Sequence, residues 1–232
     1  SSLDPELQQA FSGAGAMHIL CVSGLHVGIV YLVFSFLFSI LGKKRIPKII
    51  RSVILLLLIW MYALVTGCAP SVMRASTMIS FLILGRLLNM SSNVYNTLAG
   101  SAFLLLLIDP FMIMAIGFQL SYLAVLGIVT IQPFIYKSVY VKFWLPDKVW
   151  AIITVSIAAQ AGTFPLAIYY FNIFPNYFLL SNIIVIPAAS MIIYLGFLLL
   201  ISSSLPMLAG VFSYLLGNSI YIMNSCIHWI NR

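Results

Sequence analysis

The chain has 232 residues, of which 63% are hydrophobic and 6% charged, and its formal net charge is +7. An ordinary soluble domain carries about 25% charged residues, so this composition argues against a water-facing fold. The positive excess lies in short connections between apolar runs, where it acts as a topology signal and is no nucleic-acid footprint in itself.

Apolar runs of about 17–25 residues, long enough to cross a bilayer as helices, recur along the chain. They predict an all-α fold, a polytopic integral membrane bundle of about seven or eight segments, some of them kinked or re-entrant. Residues 1–11 form a polar boundary segment containing Asp4 and Glu6, without an initiator Met or a signal-peptide pattern. The expectation is an internal start, with residues 12–232 forming one transmembrane domain cut from a longer protein.

The first segment, 12–41, fits one tilted helix or a re-entrant piece followed by a span. It carries His18, Ser23 and His26. In a helix the two histidines stand about 80° apart, while Ser23 and His26 are i,i+3 neighbours. Three readings compete: a Ser–His nucleophile and base, a metal site with Cys21, or a polar contact between helices. No third group is placed to orient the histidine, and an i,i+8 pair sets the rings about two turns apart, which favours a structural or path-lining role. Gly24 and Gly28 form a GxxxG pair suited to close helix packing.

A second segment covers 52–67, and the third, 70–88, contains Arg74. A central intramembrane Arg costs about 2.5–3.5 kcal/mol on insertion scales, so it is expected to be paired or to face water. Ser71, Arg74 and Thr77 recur every three residues and share a polar stripe. Arg74 either lines a polar path or snorkels to headgroups from the segment's start. The fourth segment, 94–108, is short for a full crossing. Asp109 before Pro110 is expected to cap a helix. The fifth, 111–135, holds Gln119, Ser121 and Tyr122.

The sixth segment, 149–171, carries Gln160 and a small-residue pair, Ala158 and Gly162; the seventh, 178–201, carries Asn182; the eighth, 206–230, carries Asn224 with Ser213 and Gly217. Each intramembrane amide needs a hydrogen-bond partner in hydrocarbon. Pro165 and Pro187 predict kinked or broken helices. Cys21, Cys68 and Cys226 lack metal-ligand spacing, and no metal or cofactor is expected.

If every segment crosses once, one face holds Lys43, Lys44, Arg45, Lys48, Arg51, Arg86, Lys137, Lys142 and Lys148, while the other holds Arg232. That bias predicts eight crossings with both chain ends outside the cytoplasm.

Four ordered stretches carry a family likeness. FSGAGAMHILCVSGLHVG (11–28), TGCAPSVMRAS (66–76), DPFMIMAIGFQLSYLAVLGI (109–128) and GTFPLAIYYFNIFPNYFLLSNIIVIP (162–187) resemble the motif series of the ComEC-family competence domain. Cys21 and Cys68 depart from it, standing where small apolar or aromatic residues are expected. The resemblance implies a channel in the bacterial inner membrane that passes single-stranded DNA to the cytoplasm during natural transformation. It also implies an OB-like domain before this one and a metallo-β-lactamase-like nuclease domain after it, with a helicase-like ATPase as a possible cytoplasmic partner. The membrane segment itself is then expected to catalyse nothing. One physical difficulty stands against the channel: a polyanion path wants basic groups or stacking faces, and with Arg86 counted to the connection at its segment's end, Arg74 is the sole Lys or Arg inside a segment. Two other functions fit parts of the pattern. Interrupted helices and midplane amides suit a secondary transporter for a small solute, although no repeat or buried carboxylate accompanies them. Ser23 with His26 would suit an intramembrane hydrolase.

Overall fold

The computed structural model describes residues 23–40, 47–89, 93–172 and 178–230. These contain helices and no strand: α1 (Gly24–Ile40), α2 (Lys48–Val65), α3 (Pro70–Leu87), α4 (Val94–Ile108), α5 (Ile116–Ser138), α6 (Trp144–Phe171), α7 (Phe178–Ile201) and α8 (Pro206–Ile230). Short 3-10 turns at Pro110–Met114 and Ser202–Ser204 precede α5 and follow α7. His18, Cys21, the cluster Lys43, Lys44 and Arg45, and the boundary segment 1–11 lie outside the described residues.

The eight helices fall on the eight apolar segments, with informative differences at their ends. Helices α2 and α6 begin at Lys48 and Trp144, ahead of the apolar runs that start at 52 and 149. Their first turns hold Lys48 and Arg51, or Asp147 and Lys148, so the backbone stays helical after the side chains have become those of an interface. The fifth segment is divided. Its start is the 3-10 turn, closed by Asp109, whose carboxylate accepts from the Phe111 N–H at 3.0 Å; this is the expected capping role. Extended backbone at Ala115 then separates that turn from α5.

Five helices are long and apolar enough to cross a membrane: α2, α5, α6, α7 with its following turn, and α8. Helix α4 has 15 residues and spans about 22 Å at 1.5 Å per residue, short of a hydrocarbon core of about 30 Å. Helices α6 and α7 run without interruption through Pro165 and Pro187, so neither is broken there. The protein is an all-α, multi-pass membrane bundle.

Local chemistry sets the connections. Pro70 occupies the first turn of α3, where its missing N–H costs no hydrogen bond. Between α2 and α3, Gly67 and Cys68 take left-handed φ values of 73° and 52°. Cys68 N–H closes this tight reversal by donating to the Ala63 carbonyl at 2.8 Å. Asn93 caps α4 by accepting from Tyr95 N–H at 3.1 Å, and left-handed Asn172 ends α6.

The described residues divide into two compact units, one up to residue 130 and the other from residue 131 onward. In the first, α3 packs against α1, α2 and α4, and α1 also touches α2. Val27, Leu55, Ile59, Ala63, Val72 and Ile83 form its core. The Trp60 indole N–H donates to Ser80 Oγ at 3.1 Å, and Ser80 donates to the Ser76 carbonyl at 2.7 Å, so a polar ladder crosses from α2 to α3. In the second unit, α7 packs against both α6 and α8. Ala158, Val185, Ala189 and Ile227 are buried there. Large apolar side chains such as Leu64, Phe103, Phe134 and Leu200 stay exposed, as a surface solvated by lipid requires.

Candidate functional site

Arg74 stands in the second turn of α3, and its surroundings make it the most consequential polar group in the first unit. Its Nε is buried and has no hydrogen-bond partner. The guanidinium looks onto the start of α5. A Cβ added at Gly117 would lie 3.5 Å from Nη2 and 3.7 Å from Nη1. Tyr122, one turn further along α5, is its electrostatic neighbour. The Tyr122 hydroxyl is 3.0 Å from Ser101 Oγ on α4, and its ring packs against Phe118 with centroids 4.5 Å apart. Thus α3 supplies the cation, α5 supplies a face without a side chain beside a phenol, and α4 holds the phenol in place. A carboxylate is not part of this group: among the described residues of the unit the one acid is Asp109, which caps the 3-10 turn.

The neighbours of Arg74 on the predicted stripe differ from it. Thr77 is 3% exposed and its hydroxyl donates to the Met73 carbonyl at 2.8 Å, a helix-internal bond. Ser71 is half-buried on the first turn. Ser76, next in sequence, is fully buried and its Oγ has no partner.

Ser23 and His26 meet at the start of α1. The Ser23 backbone N–H donates to His26 Nδ1 at 3.2 Å, and Ser23 Oγ lies 3.0 Å from the same nitrogen. Because the backbone N–H can only donate, Nδ1 is the acceptor, and a neutral ring then carries its proton on Nε2. This is one half of a capping box, with His in place of the usual Glu or Gln accepting from the first residue's N–H. The Ser23 hydroxyl bonds the same ring nitrogen, while the His26 backbone N–H donates to the Ser23 carbonyl at 3.1 Å. On the same helix, a Cβ at Gly24 would lie 3.3 Å from Ala75 Cβ of α3, so the two backbones come close there. Gly28 has open space where its Cβ would stand.

Gln119 reaches back to the 3-10 turn, its amide Nε2 donating to the Ile113 carbonyl at 2.8 Å. Ser121 donates to the Phe118 carbonyl at 3.1 Å. Both stabilise the entry into α5.

In the second unit, Asn182 on α7 donates through Nδ2 to Ser156 Oγ on α6 at 3.2 Å. Its Oδ1 and the neighbouring Ser181 Oγ are buried without partners. Ala158 is fully buried, while Gln160 and Gly162 are half-buried on the same helix. Among the described residues no three of His, Cys, Asp and Glu are grouped as metal ligands.

Sequence reasoning singled out Arg74 but missed its setting. Gly117, Tyr122 and Ser101 are the groups that define that setting; the sequence marks Tyr122 as a polar group of the fifth segment, but nothing in it joins these residues of other helices to Arg74.

Comparison with known proteins bears on what such a bundle serves. ComE operon protein 3 of Bacillus subtilis is 29% identical over 99% of this chain, and the matched region is 28% of that protein. An uncharacterized protein of Aquifex aeolicus is 28% identical over 79% of the chain, which is 40% of its own length. The chain therefore spans well under half of either relative. No solved structure matches it. The Competence protein family matches residues 1–232, and the chain belongs to that family.

Proposed function

We propose that this chain is the membrane channel domain of a DNA-uptake protein, passing single-stranded DNA across the bacterial inner membrane during natural transformation. Family membership over the whole chain supports uptake in competence. The observation that carries the conducting role is Arg74, a cation with a buried, unpaired Nε, facing a bare glycine and a tyrosine. A buried donor without a partner costs about 1–3 kcal/mol. Gly117 flanks the Nη atoms of the guanidinium rather than Nε, and a phosphodiester that reached the guanidinium would take up its spare donors in charge-assisted hydrogen bonds. Tyr122 and Phe118 add ring faces of the sort that tolerate any base.

In this reading the strand meets a sparse path, with one cation rather than a basic lining. Sparse contacts suit transport, because a conducted ion must bind well enough to enter and weakly enough to leave. Bond cleavage is assigned elsewhere, to a metallo-β-lactamase-like domain of the same protein, with an OB-like domain also outside the bilayer. Both ends of this chain would lie outside the cytoplasm, and a helicase-like ATPase on the basic face would draw the strand inward. Ser23 and His26 serve as the cap of α1.

The test follows labelled DNA separately at the cell surface and in the cytoplasm, in cells carrying the full-length protein with Arg74→Ala or Arg74→Lys. Surface binding with lost entry for Arg74→Ala, and partial entry for Arg74→Lys, is the expected outcome. Unimpaired entry with Arg74→Ala at normal membrane abundance would reduce Arg74 to an interfacial anchor.

A further inference from the structure

A second cationic site lies toward the other end of α3 from Arg74, where the C-terminal half of α1 and the last turns of α3 meet the N-terminal half of α2. A cavity of about 210 Å³ opens there, lined by Tyr31, Ser35, Lys48, Arg51 and Arg86 and floored by Leu55 and Ile83. Its side chains are held in place. Arg51 Nη2 donates to the Ser35 carbonyl at 2.9 Å and to Ser35 Oγ at 3.2 Å. Arg86 Nη1 donates to the Tyr31 hydroxyl at 2.7 Å, and Lys48 donates to Asn89. A guanidinium has five N–H donors and an ammonium three, so these bonds leave donors over on every cation.

Three positive charges thus share one cavity, and among the described residues none of the groups that line it is a counterion. The sequence has no Asp or Glu between residues 7 and 108, so the balancing charge must come from elsewhere. At the same place α2 starts behind Pro47, which provides no side-chain cap, and uncapped helix N–H groups also favour an anion.

We propose that this cavity binds the phosphate headgroup of an anionic phospholipid. The surroundings select a lipid over a nucleic-acid strand. Leu32, Phe36, Ile49, Val53 and Leu84 are large apolar residues next in sequence to lining positions, and all are exposed, so the helices that form the charged cavity also offer apolar surface to acyl chains. Bases would find one aromatic ring in the lining, Tyr31, and its hydroxyl is engaged by Arg86. Basic pockets between membrane helices are a recurring way of holding acidic headgroups. The site is separate from Arg74 and stands whether or not the domain conducts DNA.

The test places the protein in phosphatidylcholine nanodiscs and measures binding of phosphatidylglycerol, of inorganic phosphate, and of oligothymidylate. Phosphatidylglycerol is expected to bind and to raise the unfolding temperature, with weaker effects of phosphate and oligothymidylate. Arg86→Gln should weaken lipid binding about fivefold, and Arg51→Gln with Arg86→Gln about 25-fold. Arg86 is exposed and among the described residues its guanidinium donates to a tyrosine hydroxyl, so its single variant keeps the test sound should loss of the Arg51–Ser35 contact disturb folding. Lipid binding unchanged in Arg86→Gln would overturn the proposal. So would inorganic phosphate binding as tightly as the lipid, which would mark a free-anion site, or oligothymidylate being the ligand that Arg86→Gln loses.

Discussion

Gly117 offers a way to separate stability from transport at Arg74. A Cβ there would meet Nη2, Nη1 and Cζ of Arg74 at 3.5, 3.7 and 3.9 Å, which is ordinary van der Waals contact rather than a clash. Gly117 lies in the first turn of α5, where replacing Gly by Ala removes a backbone-entropy cost of up to about 1 kcal/mol. Gly117→Ala should therefore leave stability unchanged or raise it by up to about 1 kcal/mol, read as thermal unfolding in detergent. Gly117→Leu would cover the same face of the guanidinium with four carbons. If a phosphodiester approaches Arg74 from that side, the lost charge-assisted hydrogen bond is worth about 1.5–3 kcal/mol. That corresponds to a fall in cytoplasmic DNA entry of about ten- to a hundredfold at unchanged surface binding. Normal entry with Gly117→Leu would refute the approach across α5. A marked loss of stability with Gly117→Ala would show that the position demands glycine for packing, and the reasoning from these distances would fail.

Ser23→Ala removes the hydroxyl's bond to His26 Nδ1 but keeps the backbone N–H bond to the ring, and should cost about 1 kcal/mol of stability while DNA entry continues; loss of entry at normal abundance would return Ser23 to the list of working groups. Gln119→Leu strips the Ile113 carbonyl of its donor, and about 1 kcal/mol should be lost, with entry reduced through a loosened start of α5; unchanged thermal stability would contradict the brace. Gly24→Val adds bulk 3.3 Å from Ala75 Cβ and should destabilise by about 1–3 kcal/mol, whereas Gly28→Ala, with open space around it, should raise stability by up to about 1 kcal/mol in the same unfolding measurement. Ser156→Ala leaves Asn182 without its acceptor, at a cost of about 0.6 kcal/mol, the average for such bonds between membrane helices.

The eight helices were legible because the length and polarity of an apolar run are local properties, and a bilayer imposes helix on any such run. Asp109 was legible as a cap for the same reason. Helix ends were not: α2 and α6 extend through Lys48, Arg51, Asp147 and Lys148, since hydropathy marks where hydrocarbon ends and backbone hydrogen bonding continues into the interface. Neither was the path through Pro165 and Pro187, because a proline lowers the odds of helix while neighbouring packing decides whether it continues.

For the functional groups the division is sharper. The sequence alone marked Arg74 as a charge needing an explanation, and placed Ser23 within reach of His26, because both facts depend on residue type and helical spacing. Only the tertiary structure set Arg74 against Gly117 and Tyr122, turned the Ser23–His26 contact into a helix cap, and gathered Lys48, Arg51 and Arg86 into one cavity. Charges on different helices carry no mark in the sequence of which ones will meet. That is decided when α3 packs between its neighbours, through contacts between residues far apart in the chain.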